Sequence, residues 1–264
     1  MKNKLLLLTL AAVSSLTSHA ATAPAEVFTQ QMTYIKTQVG KSDDWLQIVR
    51  DTSMKIAQKR ADAGELISWT LLRSVYPAGE DARADYIISE ISAGSPHSAL
   101  RTLDENLKQA GIGMTADELL KKRNATSALV AQELWQPQIY NGGAKKGNFL
   151  VINFMNVLDP AKHEALETTI WSPLTKEWIK QGELTGWIYA TKIMPSGSES
   201  RYGAYTADMF TSMQTALASH DYDAAFAKVH PGKKVEEIFA DGDKARVIAK
   251  RELWEVIERI TKKP

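Results

Sequence analysis

Hydrophobic and polar positions change period several times along this chain, and the changes come in the same order twice. Residues 32–39 and 149–158 are short runs rich in β-branched and aromatic side chains, the pattern of a strand. Each is followed by a longer stretch with apolar residues at helical spacing. In the first stretch Ser42 stands at the N-cap position, and Trp45, Ile48, Val49 and Ile56 fall along one face. In the second, Asp159-Pro160 supplies a cap and a proline for the first turn. Strands are expected again at 67–76 and 185–194, each ending at a Pro-x-Gly turn, and around Tyr86 and Tyr205. Helices follow near 98–110 and 222–229, with shorter ones from Thr115 and Lys234. Final strands cover 127–135 and 245–254. Each half therefore reads β-α-β-β-α-β. Residues 136–148, with Pro137, Asn141-Gly142-Gly143 and two lysines, have the composition of a connection.

The two halves also share residues. Shifted by 118 positions, Gly64-Glu65-Leu66 falls on Gly182-Glu183-Leu184, Trp69 on Trp187, Pro77 on Pro195, Gly79 on Gly197 and Arg83 on Arg201. Shifted by 119, Tyr86 falls on Tyr205, Asp104 on Asp223, Gly113 on Gly232, and Glu133-Leu134-Trp135 on Glu252-Leu253-Trp254. Residues present in both copies are those the fold requires twice. Trp69/Trp187 and Trp135/Trp254 read as core aromatics. Arg83/Arg201 and Glu133/Glu252 read as salt bridges bracing each unit. The alternative places Glu133 and Glu252 near a pseudo-twofold axis, facing one cavity, where repulsion would raise one pKa. Residues that differ mark specialisation: His163 stands opposite Trp45, Pro173 opposite Lys55, Tyr189 opposite Leu71 and Lys192 opposite Ser74. Ser172-Pro173 is expected to kink or restart the long helix, with Ser172 as a new cap.

A β-α-β-β-α-β unit is the ferredoxin-like arrangement. Two in tandem, each with a long first helix, resemble the dimeric α/β-barrel superfamily in a tandem-duplicated form. That resemblance implies an α+β fold in which two ferredoxin-like units close one intramolecular α/β barrel. Its members include cofactor-free monooxygenases of antibiotic biosynthesis, haem-degrading monooxygenases and chlorite dismutases. The second half is also similar to a group of exported bacterial proteins of unassigned activity. That similarity rests on Ile170-Trp171-Ser172-Pro173, Gly186-Trp187, Val229-His230-Pro231 and Arg251-Glu252-Leu253-Trp254.

Composition and the first twenty residues add compartment. Lys2 and Lys4 precede an apolar run at 5–16 and the small-residue sequence Ser18-His19-Ala20, the three parts of a cleavable signal peptide cut after Ala20. The run is too short for a membrane span of about 20 residues. The chain contains no cysteine, so disulfides, thiolate metal sites and a lipid-modified cysteine are excluded. Past residue 20 there are 30 basic and 31 acidic side chains, which gives no electrostatic reason to expect nucleic acid. The organisation expected is a signal peptide at 1–20, a first repeat at 21–140 and a second at 141–264, in a periplasmic or secreted protein without membrane anchor.

Local catalytic motifs are missing. The chain holds no Gly-x-Ser-x-Gly, His-Glu-x-x-His or Walker-type loop. Beyond the leader its histidines, His97, His163, His220 and His230, are not spaced as local metal ligands, and no cofactor is assigned. His163 is expected to face solvent near the start of the second long helix. His230, before Pro231, is expected to serve a helix end. By alternation Trp187, Tyr189 and Thr191 share one strand face, flanked in sequence by Trp171 and Trp178. The leading reading is binding of a small apolar or aromatic molecule in a barrel cavity. His163, Trp171, Trp187, Tyr189, Lys192, His230, Glu133 and Glu252 are the candidate ligand-binding residues. The alternatives are a cofactor-free or haem-linked monooxygenase-type enzyme and a homo-oligomeric interaction module, with the protein a monomer or homodimer.

Overall fold

The computed structural model describes residues 28–94, 101–198, 200–219 and 221–263. The expected leader, His97 and His220 lie outside them. The first unit runs β1 (Phe28–Thr37), α1 (Ser42–Ile48), α2 (Met54–Asp62), β2 (Ser68–Tyr76), β3 (Tyr86–Ala93), α3 (Leu103–Gln109), α4 (Ala116–Asn124) and β4 (Ser127–Gly142). The second runs β5 (Phe149–Val157), α5 (Pro160–Leu166), α6 (Ser172–Gln181), β6 (Gly186–Met194), β7 (Ala204–Phe210), α7 (Met213–Leu217), α8 (Tyr222–Val229), α9 (Val235–Ala245) and β8 (Arg246–Thr261).

All eight strands join one closed antiparallel barrel in the order β1-β3-β2-β8-β5-β7-β6-β4. Closure depends on β4 and β8, each sixteen residues long. The first part of β4 pairs with β1 (Met32 opposite Glu133), and its second part crosses to β6 (Tyr140 opposite Ile188). β8 does the same, pairing with β5 (Ile152 opposite Glu252) and then with β2 (Leu72 opposite Val256). The stretch read as a connection is thus strand as far as Gly142. Pro137 is accommodated at a register shift between Pro137 and Ile139, where no ladder hydrogen bond is demanded of it.

Alternation along the strands divides the core in two. Met32, Tyr34, Leu72, Ile87, Trp135, Ile152, Phe154, Tyr205, Trp254 and Val256 fill the barrel. The opposite faces pack on helices: Trp45, Val49, Trp69, Leu71 and Tyr86 in the first unit, and Val151, Ile170, Leu174, Phe210 and Phe226 in the second. Trp69 and Trp187 therefore lie beneath helices, while Trp135 and Trp254 lie inside.

The pairing corrects the repeat at one place. Leu72 lies opposite Ile87 as Ala190 lies opposite Tyr205, so the shift is still 118 in the third strands. Tyr86 and Tyr205 consequently sit on opposite sheet faces, and their match does not mark equivalent positions. A one-residue slip in a strand always exchanges its faces.

Two local expectations change. Ser42 does not cap α1; Lys41 flanks the helix, and the Ser42 hydroxyl is 2.5 Å from that of Tyr86. Ser172 is no new cap either. A five-residue π-helical turn, Glu167–Trp171, joins α5 to α6, and its counterpart Val49–Ser53 joins α1 to α2 without any proline. The irregularity belongs to the fold and is not caused by Pro173. Asp159 does cap α5, accepting from the Lys162 amide at 3.0 Å.

Where β4 crosses to the second unit, Gly142 and Gly186 are opposed. A Cβ on Gly186 would collide with the backbone nitrogen of Gly143, and one on Gly142 with the Thr185 carbonyl. Gly186→Ala is expected to lower stability by about 1–3 kcal/mol, the usual penalty of overpacking. Gly143→Ala, which meets only the Tyr140 side chain, should change it by no more than about 0.5 kcal/mol. Urea denaturation of the two variants measures the contrast, and equal losses would contradict this account of the crossing.

Candidate functional site

A cavity of roughly 860 Å³ opens at the barrel end where β2 and β6 finish. Equivalent residues of both units meet there: Pro77 with Pro195, Arg83 with Arg201 and Glu133 with Glu252. The two carboxylates do face one cavity. Their surroundings, however, are unlike.

Glu133, on β4, is almost fully buried. It accepts hydrogen bonds from the Tyr202 hydroxyl at 2.7 Å and the Tyr34 hydroxyl at 2.9 Å, and lies 3.3 Å from Lys192 Nζ and 3.4 Å from Arg83 Nη1. Arg83 also donates to the Tyr202 oxygen at 2.8 Å. Burial alone would push this carboxyl up, but Tyr202, Lys192, Tyr34 and Arg83 together hold it below the usual range. The expectation that repulsion between the pair raises a pKa therefore fails for Glu133, because four partners stabilise its charge. The same burial, with Glu133 alongside, pushes both tyrosine hydroxyls up, so they stay protonated donors.

Glu252, on β8, accepts instead from Lys250 Nζ at 2.8 Å and from the indole nitrogen of Trp254 at 3.1 Å. Arg83–Glu133 is thus the bracing ion pair expected of the first unit, while Glu252 takes Lys250 in the second. The equivalent indole of Trp135 has no hydrogen-bond partner among the described residues, since Glu133 is turned to the tyrosines. Lys192 Nζ lies 3.6 Å above the Tyr202 ring, and Lys250 Nζ 4.3 Å from that of Phe154. The lining carries five cations (Arg83, Lys192, Arg201, Lys250 and Arg251) against two carboxylates, within walls of tyrosine and proline. That surplus favours an anionic group.

A second polar cluster lies behind the sheet of the second unit. His163 on α5 is buried, not solvent-facing, because its helix turn faces β6: its ring meets Tyr189 edge-on at 5.4 Å. His163 Nδ1 is 3.5 Å from the Glu167 carboxylate, and Arg246 Nη1 is 3.6 Å from it. Trp171 abuts this cluster, 6.0 Å from the Arg246 guanidinium, and packs on Tyr222, Phe226 and Phe239. Trp187 and Tyr189 share a small apolar group with Met155 and Ala204. In the first unit the corresponding side chains are Trp45, Val49 and Leu71, all apolar core. Burial raises Glu167 to about 7 and lowers His163 to about 4. His230 closes the far end of α8: its Nε2–H donates to the Ile170 carbonyl in the π-helical turn at 3.0 Å. The imidazole thus ties the end of α8 to a turn inside the neighbouring helix and does not cap the carbonyls of α8 itself.

The structure thus divides the eight candidate residues. Glu133, Glu252 and Lys192 meet at the barrel mouth. His163, Trp171, Trp187, Tyr189 and His230 belong to the helix layer behind it. Tyr34, Tyr202 and Lys250 went unnoticed in the sequence. Tyr202 carried a signal: with the shift held at 118 it stands opposite Ala84, one more residue particular to the second unit.

No family model and no curated protein sequence matches the chain. Solved structures do. A "putative monooxygenase" from Fusobacterium nucleatum is 10% identical, with a TM-score of 0.57 over 91% of this chain and 96% of that one. Another from Lactobacillus acidophilus NCFM is 11% identical, with a TM-score of 0.51 over 89% and 99%. An anthrone oxidase-like protein is 13% identical, with a TM-score of 0.50 over 90% and 94%. These likenesses define the class: the fold is that of the dimeric α/β-barrel proteins, with both ferredoxin-like units in one chain.

Glu167 gives a pH-dependent signature. Its folded pKa lies above the ordinary 4.5, so its stabilising contribution is complete below that value and is lost as pH rises towards 7. His163 acts in the opposite sense, losing stability as pH falls from 6.5 to about 4. Relative to Glu167→Gln, the wild type should lose of order 2 kcal/mol between pH 5 and 8. Chemical denaturation across that range tests it, and a flat difference would show that Glu167 is not held neutral.

Proposed function

We propose that the protein binds a small organic anion with an aromatic or apolar body in the cavity at the barrel mouth. The observation that carries this reading is the lining, with five cations and two already compensated carboxylates among tyrosine and proline. Charge fixes an anionic end of the ligand, and the aromatic walls accept its body. The apolar or aromatic ligand expected from the sequence is refined accordingly, by a negative group.

We also propose that the two units arose by tandem duplication, as the shared residues suggest, and that the chain is exported. The amino-terminal pattern supports the second point. Protein recovered from the periplasm or medium should begin at Ala21 on N-terminal sequencing. An intact Met1 in a cytoplasmic fraction would overturn the export reading.

The likeness to proteins named as monooxygenases keeps an enzyme in view, on the fold alone. A haem-linked version has little to rest on: His163 and His230 border none of the cavities described, and the ring of His163 is enclosed by packed side chains. Oxygen uptake with phenolic substrates would favour a cofactor-free enzyme over a binding protein.

Trp135 and Trp254 lie beneath the cavity and report on binding. Titration with an aromatic carboxylate such as phenylacetate should change tryptophan fluorescence saturably. Lys250→Ala should weaken binding about tenfold, since a charge-assisted hydrogen bond contributes about 1.5–3 kcal/mol. Equal binding of the uncharged alcohol analogue would sink the anionic assignment.

A further inference from the structure

The lysine at the floor of the cavity is placed for more than charge. Lys192 is found only in the second unit, where the first has Ser74. It sits near the end of β6, with its side chain only 5% exposed yet lining the cavity. Its amine lies over the ring faces of Tyr202, at 3.6 Å, and Trp135, at 4.9 Å. One carboxylate oxygen of Glu133 accepts from it at 3.3 Å and holds the amine in place. A surface lysine that merely attracts anions needs none of this enclosure, and Lys250 and Arg251 already line the same cavity.

We propose that Lys192 is a nucleophilic amine that forms an imine with a carbonyl-bearing acid held in the cavity, a 2-oxo acid being the simplest such ligand. This rests on the anion-binding reading above and names the chemical class of the ligand. Lysines become nucleophilic when desolvated or set beside other cations. Both conditions hold: burial holds the Lys192 ammonium below its usual value, Arg83 and Lys250 add to the effect, and Glu133 opposes it.

The step balances with the groups present. The ammonium passes a proton to water in the cavity, because the Glu133 carboxylate is itself held ionised by its four partners. The freed nitrogen lone pair attacks the carbonyl carbon, a C–N bond forms, and the C=O π pair moves to oxygen. Proton transfer from nitrogen to that oxygen gives the carbinolamine. The proton first given to water returns to the hydroxyl, the C–O bond breaks, water leaves and a protonated imine remains. No oxidant or reductant takes part. The cations around the cavity hold the carboxylate of the acid, and Tyr34 and Tyr202, protonated, keep the Glu133 side chain in place beside the amine.

The test is reductive trapping. The full mature chain is incubated with phenylpyruvate or pyruvate and sodium cyanoborohydride, digested, and mapped by mass spectrometry. In parallel, tryptophan fluorescence without reductant measures binding. The expected result is a secondary amine concentrated on the peptide carrying Lys192, absent in Lys192→Arg, which keeps the positive charge beside Glu133. Saturable binding without labelling of Lys192, or labelling spread evenly over exposed lysines, would overturn this assignment and leave the anion-binding reading intact. Absence of any binding would overturn both.

Discussion

Two sixteen-residue strands hold this molecule together, because β4 and β8 are each hydrogen-bonded to both units. A ferredoxin-like sheet alone has one face under helices and one face bare. Here the bare faces are turned towards each other, and the long strands close them into a barrel whose interior is packed with side chains from both units. At the unit boundary β4 and β8 find ladder partners in both units, so no sheet edge is left at the crossing. The crossing demands close backbone approach, which is why Gly142 and Gly186 stand where they do. The mouth cavity follows from the same closure. β2 and β6 stop while β8 and β4 extend beyond them, and the space left is bounded by the extended strands and the turns carrying Arg83 and Arg201.

The pseudo-twofold arrangement brings like residues to one place and then differentiates them. Glu133 and Glu252 occupy matching strand positions and line the same space, but the second unit supplies Tyr202 and Lys192 to the first unit's carboxylate. One acid is therefore enclosed by a four-partner network, while the other pairs with a lysine two residues away on its own strand. The same divergence recurs behind the sheet. A purely apolar contact of Trp45, Val49 and Leu71 in one unit becomes His163, Glu167 and Tyr189 in the other, joined by Arg246.

That polar cluster is expensive for a helix–sheet contact. Both nitrogens of His163, one oxygen of Glu167 and two nitrogens of Arg246 are buried without a hydrogen-bond partner among the described residues. Unpartnered buried groups of this kind cost about 1–3 kcal/mol each. Burial favours the uncharged forms of Glu167 and His163, which limits the penalty. The aromatic packing of Trp171 with Tyr222, Phe226 and Phe239 offsets part of the rest.

The sequence by itself determined the order of the eight strands and the bounds of several elements, among them β2, β5, β6 and α8, because periodicity and capping chemistry are local; α7 and the second halves of β4 and β8 escaped it. It also determined which residues recur, and so which aromatics must be core. Only the tertiary structure decided which face of each strand turns inward, since alternation states that faces differ and not which is which. Tyr86 and Tyr205, matched in sequence and opposed in space, show the limit. It likewise decided the partners of the charges around Glu133, which is met by residues 50 to 99 positions away, from four other segments of the chain. His163 was misjudged for the same reason. A helix position looks exposed or buried only once the sheet beneath it, and the turn facing that sheet, are known.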